Sequence, residues 1–359
     1  MSKTAAVLCP GRGSYTASEL GYLSGAAPAC VLAELNPAID RLDNLRIDRG
    51  DPTVRDMDGA HTFSPELFRG ENASCLTFAC TAFDFLRLDR NKLDIVGIGG
   101  NSMGWYSALF AAGTFSLDDT FNLVETMGGM TRNGKIGGQV IYPLINENWG
   151  VDPELATTVK TALEDTREAG HQAGWSIHYG GYAVLWADQD GLPLLISKLP
   201  AVKTGEKQYP LELPEHSAFH SPLMLPISER ALGQLSTLSW RAPSIPLIDG
   251  RGHRWNPINT NPGELCRYSL QTQVLEVYDF SSCVRVLLRE YAPEVFILLG
   301  PGAALSAAVA QILIANRWQG INCKEAFMER QKNDPLLLSL AYRQHAELVT
   351  LPTTYTWIQ

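Results

Sequence analysis

The 359-residue sequence contains no CxxC pair, no run of eighteen uninterrupted apolar residues and no excess of basic charge. Each absence closes a class of function. The seven cysteines, Cys9, Cys30, Cys75, Cys80, Cys266, Cys283 and Cys323, are odd in number and widely spaced. They read as reduced thiols rather than a disulfide framework or a metal site. Without a long apolar run no helix spans a membrane. The short run in MSKTAAVLCPGRGS is interrupted by Pro10 and Gly11 and does not read as a signal peptide. The expected location is the cytoplasm. A net charge of −9 argues against nucleic-acid or anionic-membrane partners. The 45% of hydrophobic residues is ordinary for a soluble globular chain, and at this length it suffices to bury a core without a staple.

What is present is an alternation of strands and helices. Residues 4–9 (TAAVLC) predict a buried strand that stops at the Pro/Gly turn of PGRGS. Residues 73–88 carry Leu76, Ala79, Phe83 and Leu86 at helical spacing, and a strand at 94–98 (DIVGI) follows. That strand runs into GGNSMG and then a helix over 105–112, which makes one βα unit of a parallel sheet. Ser116, with Asp118 and Asp119 behind it, opens a second helix over 117–130. Beyond it the texture changes. Segments 138–145, 175–187 and 192–199 read as strands, and 153–170 as an amphipathic helix between Pro153 and Gly170. This is a small subdomain inserted in a larger one. From Pro222 the alternation resumes, with helices over 227–238 and 280–291 and strands at 245–248 and 295–299. The chain past about 315 reads as partly helical and carries no recognisable chemistry.

Gly100-Asn101-Ser102-Met103-Gly104 matches GxSxG between a strand and a helix, the context in which that motif exposes a nucleophilic serine. The helix N-terminus that follows offers backbone N–H groups to an oxyanion. A serine hydroxyl needs a base to take its proton. His220, in AFHSPLM at 218–224, stands where the chain returns to the main sheet, and His216 in the same segment is the rival.

These pieces resemble a family. GNSMGWYSALFAAGTFSLDDTFNLVE is similar to the nucleophile region of malonyl-CoA:acyl carrier protein transacylases and polyketide-synthase acyltransferase domains, which read G-H-S-L-G-E-Y-S-A-L. PGRGS at 10–14 resembles their P-G-Q-G-S, AFHSPLM their catalytic-histidine phrase, and VFILLGPGAAL at 295–305 their late strand and G-P-G turn. The resemblance implies an α/β fold with an α/β-hydrolase-like large subdomain (1–134 and 208–315), a ferredoxin-like small one (135–207) and a C-terminal extension (316–359). It implies Ser102 as nucleophile and His220 as base. A main-chain carbonyl orients that base, and a looser alignment of VYDFSSCV assigns it to Gln273. The oxyanion hole would use the backbone N–H groups of Arg12 and Met103. No metal or redox cofactor is implied. The expected partners are acyl-CoA and an acyl carrier protein, and the expected state is a monomer.

Three departures from the family pattern surround one pocket. Met127 stands where malonyl-selective members place an arginine, in L-V-x-x-R-G, whose planar fork pairs the malonyl carboxylate. A carboxylate buried without a partner costs several kcal/mol, so Met127 points to an uncharged acyl group. Arg132, five residues on and about 140° round the helix, is a poor substitute. Asn101 replaces the histidine before the nucleophile, and Gly70-Glu71-Asn72-Ala73 replaces T-Q-P-A, so Asn101, Met127 and Glu71 are the candidate substrate-binding residues. The changes mark altered acyl specificity or a changed reaction. Ping-pong acyl transfer is the favoured reading. Its rivals are hydrolysis of the same acyl-enzyme, an ordinary α/β-hydrolase esterase, and a non-catalytic subunit that docks a carrier protein.

Overall fold

A computed structural model describes residues 2–25, 29–205 and 207–351. The side chain of Cys30 and the end of the C-terminal segment, 352–359, lie outside the described residues; the other six cysteines are free thiols. In chain order the strands that matter here are β1 (Lys3–Cys9), β2 (Leu93–Gly100), β3 (Gly138–Pro143), β4 (Ala173–Tyr179), β5 (Tyr182–Ala187), β6 (Leu211–Glu212), β7 (Leu247–Ile248), β8 (Arg254–Trp255), β9 (Tyr278–Asp279), β10 (Val295–Leu298) and β11 (Leu337–Ser339). The helices are α1 (Ala29–Ile47), α2 (Gly70–Leu86), α3 (Gly104–Ala111), α4 (Leu117–Gly129), α5 (Pro153–Glu168), α6 (Gly191–Lys198), α7 (Leu225–Leu235), α8 (Phe280–Val286) and α9 (Ala304–Ala315).

Six strands form the main sheet in the order β8-β7-β2-β1-β10-β11, parallel throughout except for the edge strand β8. Helices on both faces bury it, which is why β1 reads as an almost continuous apolar run. Ala5, Val7 and Cys9 enter the core on one face, with Leu76, Phe78 and Trp105. Ala6 and Leu8 point the other way, into a core with Phe280, Leu287 and Val309. The C-terminal ends of β1 and β2 lie side by side at the centre of the sheet, the usual place for a site in a parallel α/β fold.

The second sheet has the order β9-β4-β5-β3-β6. Strands β3, β5 and β4 are antiparallel neighbours, and Val140, Leu185, Val159, Leu163 and Leu195 pack α5 and α6 against one face. The order β3-α5-β4-β5-α6-β6 is ferredoxin-like, and the fold is the expected α/β sheet with a ferredoxin-like insert.

One expected strand is a helix. Residues 192–199 read as an extended apolar segment, but 191–198 form α6. A run of this length fits either period. Here Leu192 and Leu195, three apart, are both buried, and Asp188 starts the helix by accepting the Gly191 N–H at 2.7 Å. The run 336–340 (LLLSL), unassigned by sequence, holds β11, which pairs with β10 at the sheet edge. Past it the chain folds back as a helix over Arg343–Val349. Leu88 bridges Thr350 there, and the Leu351 N–H donates to Arg87 at 2.9 Å. Among the described residues no helix is long and apolar enough to cross a membrane.

Candidate active site

Ser102 follows β2 directly, on a turn with φ of +54°. A non-glycine residue held there costs on the order of 1–3 kcal/mol, and such strain persists where surrounding structure imposes it. The imposing contact is made at Gly104. A Cβ on that residue would lie 2.6 Å from the Pro10 carbonyl oxygen and closer still to that of Cys9. Helix α3 therefore starts hard against the end of β1. The Asn101 N–H, donating to the Cys9 carbonyl at 3.0 Å, ties the two loops together. Arg12 and Met103, the residues whose amides are candidates for an oxyanion hole, stand on these two loops, and both line the cavity above Ser102.

Ser102 Oγ lies 2.8 Å from His220 Nε2. The imidazole is buried, and its Nδ1 is hydrogen-bonded to the Gln273 carbonyl. That acceptor can take only an N–H, so it fixes the tautomer in which Nε2 is free to accept the serine proton. The segment around His220 is clamped from two sides. The His220 N–H donates to the Val274 carbonyl at 2.9 Å. The Tyr278 ring packs on the imidazole at 5.2 Å while its hydroxyl donates to the Gly100 carbonyl at 2.6 Å. Tyr278 thereby joins base and nucleophile turn through one side chain. Burial lowers the His220 pKa from 6.5 to about 4, against a smaller upward pull from Gln273.

His216, the rival base, also lines the cavity, but its Nδ1 bonds the Pro214 carbonyl at 2.8 Å. The histidine on Ser102 is His220. The structure thus brings Ser102, His220 and Gln273 together, and with them Arg12, Met103, Asn101 and Met127 around a cavity of about 480 Å³. Asn101 Oδ1 is buried without a hydrogen-bond partner. Glu71 is a correction: it is buried but does not line the cavity. A buried carboxylate takes the cation within reach, and Glu71 pairs with Arg132 Nε at 3.1 Å. Arg132, which also meets Asp51 at 3.3 Å, is likewise away from the cavity.

Sequence reasoning missed two features of the wall. The small sheet contributes Ile177 and Tyr179 from β4 and Tyr182 and Val184 from β5. Their alternate spacing was the available signal for a shared face. The other is the side chain of Arg12, buried with its Nη2 donating to the Glu215 carbonyl, whereas the reading of the sequence used only its amide.

No family model matches the sequence. Over 214 residues, 59% of this chain and 63% of the relative, it is 26% identical to the malonyl CoA-acyl carrier protein transacylase of Bacillus subtilis. Over 228 residues, 60% of this chain and 17% of the relative, it is 27% identical to the polyketide biosynthesis protein ThaF of Burkholderia thailandensis. The match spans less than two thirds of either relative's length. Among solved structures, the acyl-carrier-protein S-malonyltransferase of Burkholderia pseudomallei aligns with 97% of this chain and 98% of its own, at a TM-score of 0.71 and 17% identity. That of Vibrio cholerae covers 87% of this chain and 94% of its own, at 0.66 and 21% identity. The chain is thus similar in sequence to malonyl CoA-acyl carrier protein transacylases and polyketide biosynthesis proteins, and it has the S-malonyltransferase fold.

Proposed function

We propose that the protein is an acyltransferase that moves an acyl group from acyl-CoA to the phosphopantetheine thiol of an acyl carrier protein through an acyl-enzyme on Ser102. Acyl specificity is altered relative to family members with an arginine at the position of Met127. The observation that carries this reading is the 2.8 Å contact between Ser102 Oγ and His220 Nε2, with Nδ1 held by the Gln273 carbonyl.

His220 Nε2 takes the hydroxyl proton as Ser102 Oγ attacks the thioester carbonyl carbon. Negative charge moves onto the carbonyl oxygen, where the N–H groups of Arg12 and Met103 receive it. The intermediate collapses with cleavage of the C–S bond, and the departing thiolate takes the proton back from the imidazolium. The carrier's thiol then attacks the ester in the reverse sequence. A carbonyl in place of a carboxylate beside Nδ1 leaves the imidazolium without a counter-ion, so the proton stays on His220 only during each half-reaction. CoA and phosphopantetheine thioesters enter as substrates.

The test is intact-mass measurement after mixing the protein separately with acetyl-, hexanoyl- and malonyl-CoA, with Ser102→Ala as the control. An adduct on the wild type alone, discharged onto added holo carrier protein, supports transfer. Discharge to free acid at the same rate without carrier makes the protein a hydrolase. No adduct and no thioester turnover would leave a carrier-docking subunit.

A further inference from the structure

Two histidines line the cavity, and the acyl-transfer chemistry uses one of them. His216, in the same segment as His220, is left without a task. The chain turns at Glu215, where φ is +56°, and the Pro214 carbonyl meets His216 Nδ1 at 2.8 Å. A carbonyl only accepts, so Nδ1 carries the proton and Nε2 keeps a lone pair. No group among the described residues donates to Nε2. Asn101 Oδ1 and Gln273 Oε1 also lack partners, but protein encloses them, whereas His216 Nε2 is open in a partly buried residue.

The segment on either side sets its place. The Ala218 N–H donates to the Ile136 carbonyl at 2.8 Å, and Ser217 Oγ accepts the Ile136 N–H at 3.1 Å. The Glu215 carbonyl accepts Arg12 Nη2, which ties the segment to the PGRGS loop and its candidate oxyanion amide. A Cβ on Gly13, the next residue of that loop, would lie 3.8 Å from His216 Cε1 and 3.9 Å from Nε2, with no other atom within 4 Å. The Nε2 edge therefore looks across Gly13, which is exposed and lines the cavity at its rim. The lone pair is also kept from protonation. Burial, then the Arg12 charge, lower the pKa to about 3, outweighing the upward pull of the Pro214 carbonyl.

A fixed acceptor at the rim, beside the oxyanion loop, suits a ligand that carries a donor close to its thioester. Pantetheine is such a ligand. Its first amide N–H lies two methylenes from the sulfur, and the arm is common to CoA and a holo carrier protein. We infer that His216 binds the pantetheine arm, its Nε2 accepting an amide N–H while the thioester carbonyl meets the oxyanion donors. The inference deepens the acyl-transfer reading and rests on it. Two histidines of one segment then have opposite duties: His220 moves a proton, and His216 keeps a lone pair and moves none.

The test is a pair of rate ratios. Acylation of Ser102 by acetyl-CoA is compared with acylation by p-nitrophenyl acetate, which has no N–H. Discharge of the acetyl-enzyme onto holo carrier protein is compared with discharge onto 2-mercaptoethanol. His216→Asn keeps a donor for the Pro214 carbonyl and removes the acceptor at Nε2. It is expected to lower both ratios about tenfold, the worth of one hydrogen bond whose donor is left unsatisfied. His216→Gln, whose longer side chain can return an amide oxygen to the place of Nε2, is expected to restore most of each ratio, which a merely structural role would not produce. Unchanged ratios, a loss confined to one half-reaction, or no recovery with His216→Gln would overturn the inference. Failure of both acetyl donors to acylate wild-type Ser102 would instead sink the acyl-enzyme reading. Calorimetric titration of Ser102→Ala with acetyl-CoA, with and without His216→Asn, would then still decide the role of His216.

Discussion

Acidification should reveal how deeply the candidate base is buried. His220 has a pKa of about 4 rather than 6.5 because its imidazolium would have to form away from water, which outweighs the upward pull of the Gln273 carbonyl. Only the neutral ring can accept the Ser102 proton. At pH 5.5 a group with a pKa of about 4 is about 97% neutral, whereas an ordinary imidazole is about 9% neutral. The rate of acylation should therefore hold nearly constant from pH 8 down to about 5 and halve near pH 4. At pH 5.5 it should exceed by about tenfold the rate that an unperturbed histidine would allow. The assay is single-turnover release of CoA, followed across that range with a constant-ionic-strength buffer. The same group links pH to stability. The unfolded chain takes up this proton below about 6.5 and the folded chain only below about 4, so the contribution is complete above pH 6.5. It is lost as pH falls through the window between the two values, by about 3 kcal/mol at most. A rate that halves near pH 6.5 would refute the argument, because His220 would then titrate as a solvated side chain.

Two further outcomes follow from packing. The Arg46–Glu125 pair is 0% and 2% exposed at its two side chains, so Glu125→Ala strands a buried guanidinium and should cost about 3–5 kcal/mol; a melting temperature within a degree of the wild type would contradict this. Gly104→Ala, whose Cβ has no room beside the Pro10 and Cys9 carbonyls, should displace the start of α3 and abolish labelling of Ser102 by a fluorophosphonate, whereas normal labelling would show that the turn tolerates a side chain.

The parts of the site that were legible in the sequence are those where backbone conformation restricts the residue. Ser102 between Gly100 and Gly104, and the PGRGS turn, belong to this kind, because steric crowding leaves few alternatives and a short motif records it. His220 was legible through its phrase, and the structure then separates it from His216 by one hydrogen bond. Gln273 acts through its carbonyl, which every residue has, so only a loose alignment could reach it. Long side chains are the opposite case. Nothing at position 12 says that its guanidinium will fold back onto the Glu215 carbonyl rather than turn to solvent, and nothing at position 71 says that its carboxylate will meet Arg132 rather than a ligand. The fold followed the same division. The long periodic helices and the buried strands were readable, while α6 and β11, both short apolar runs, depend on which neighbours cover them.

The clasp made by the end of the chain bears on the order in which the protein can mature. Every residue of the proposed Ser102–His220–Gln273 machinery has been synthesised some sixty residues before β11 emerges to cover β10. Until then the central sheet presents an open parallel edge with unsatisfied N–H and C=O groups, a surface that invites pairing with other chains. A nascent or prematurely stopped polypeptide ending near residue 315 would carry all the chemistry and none of this protection. Its failing would be association with its own copies or a need for chaperone cover, not an incomplete catalytic centre.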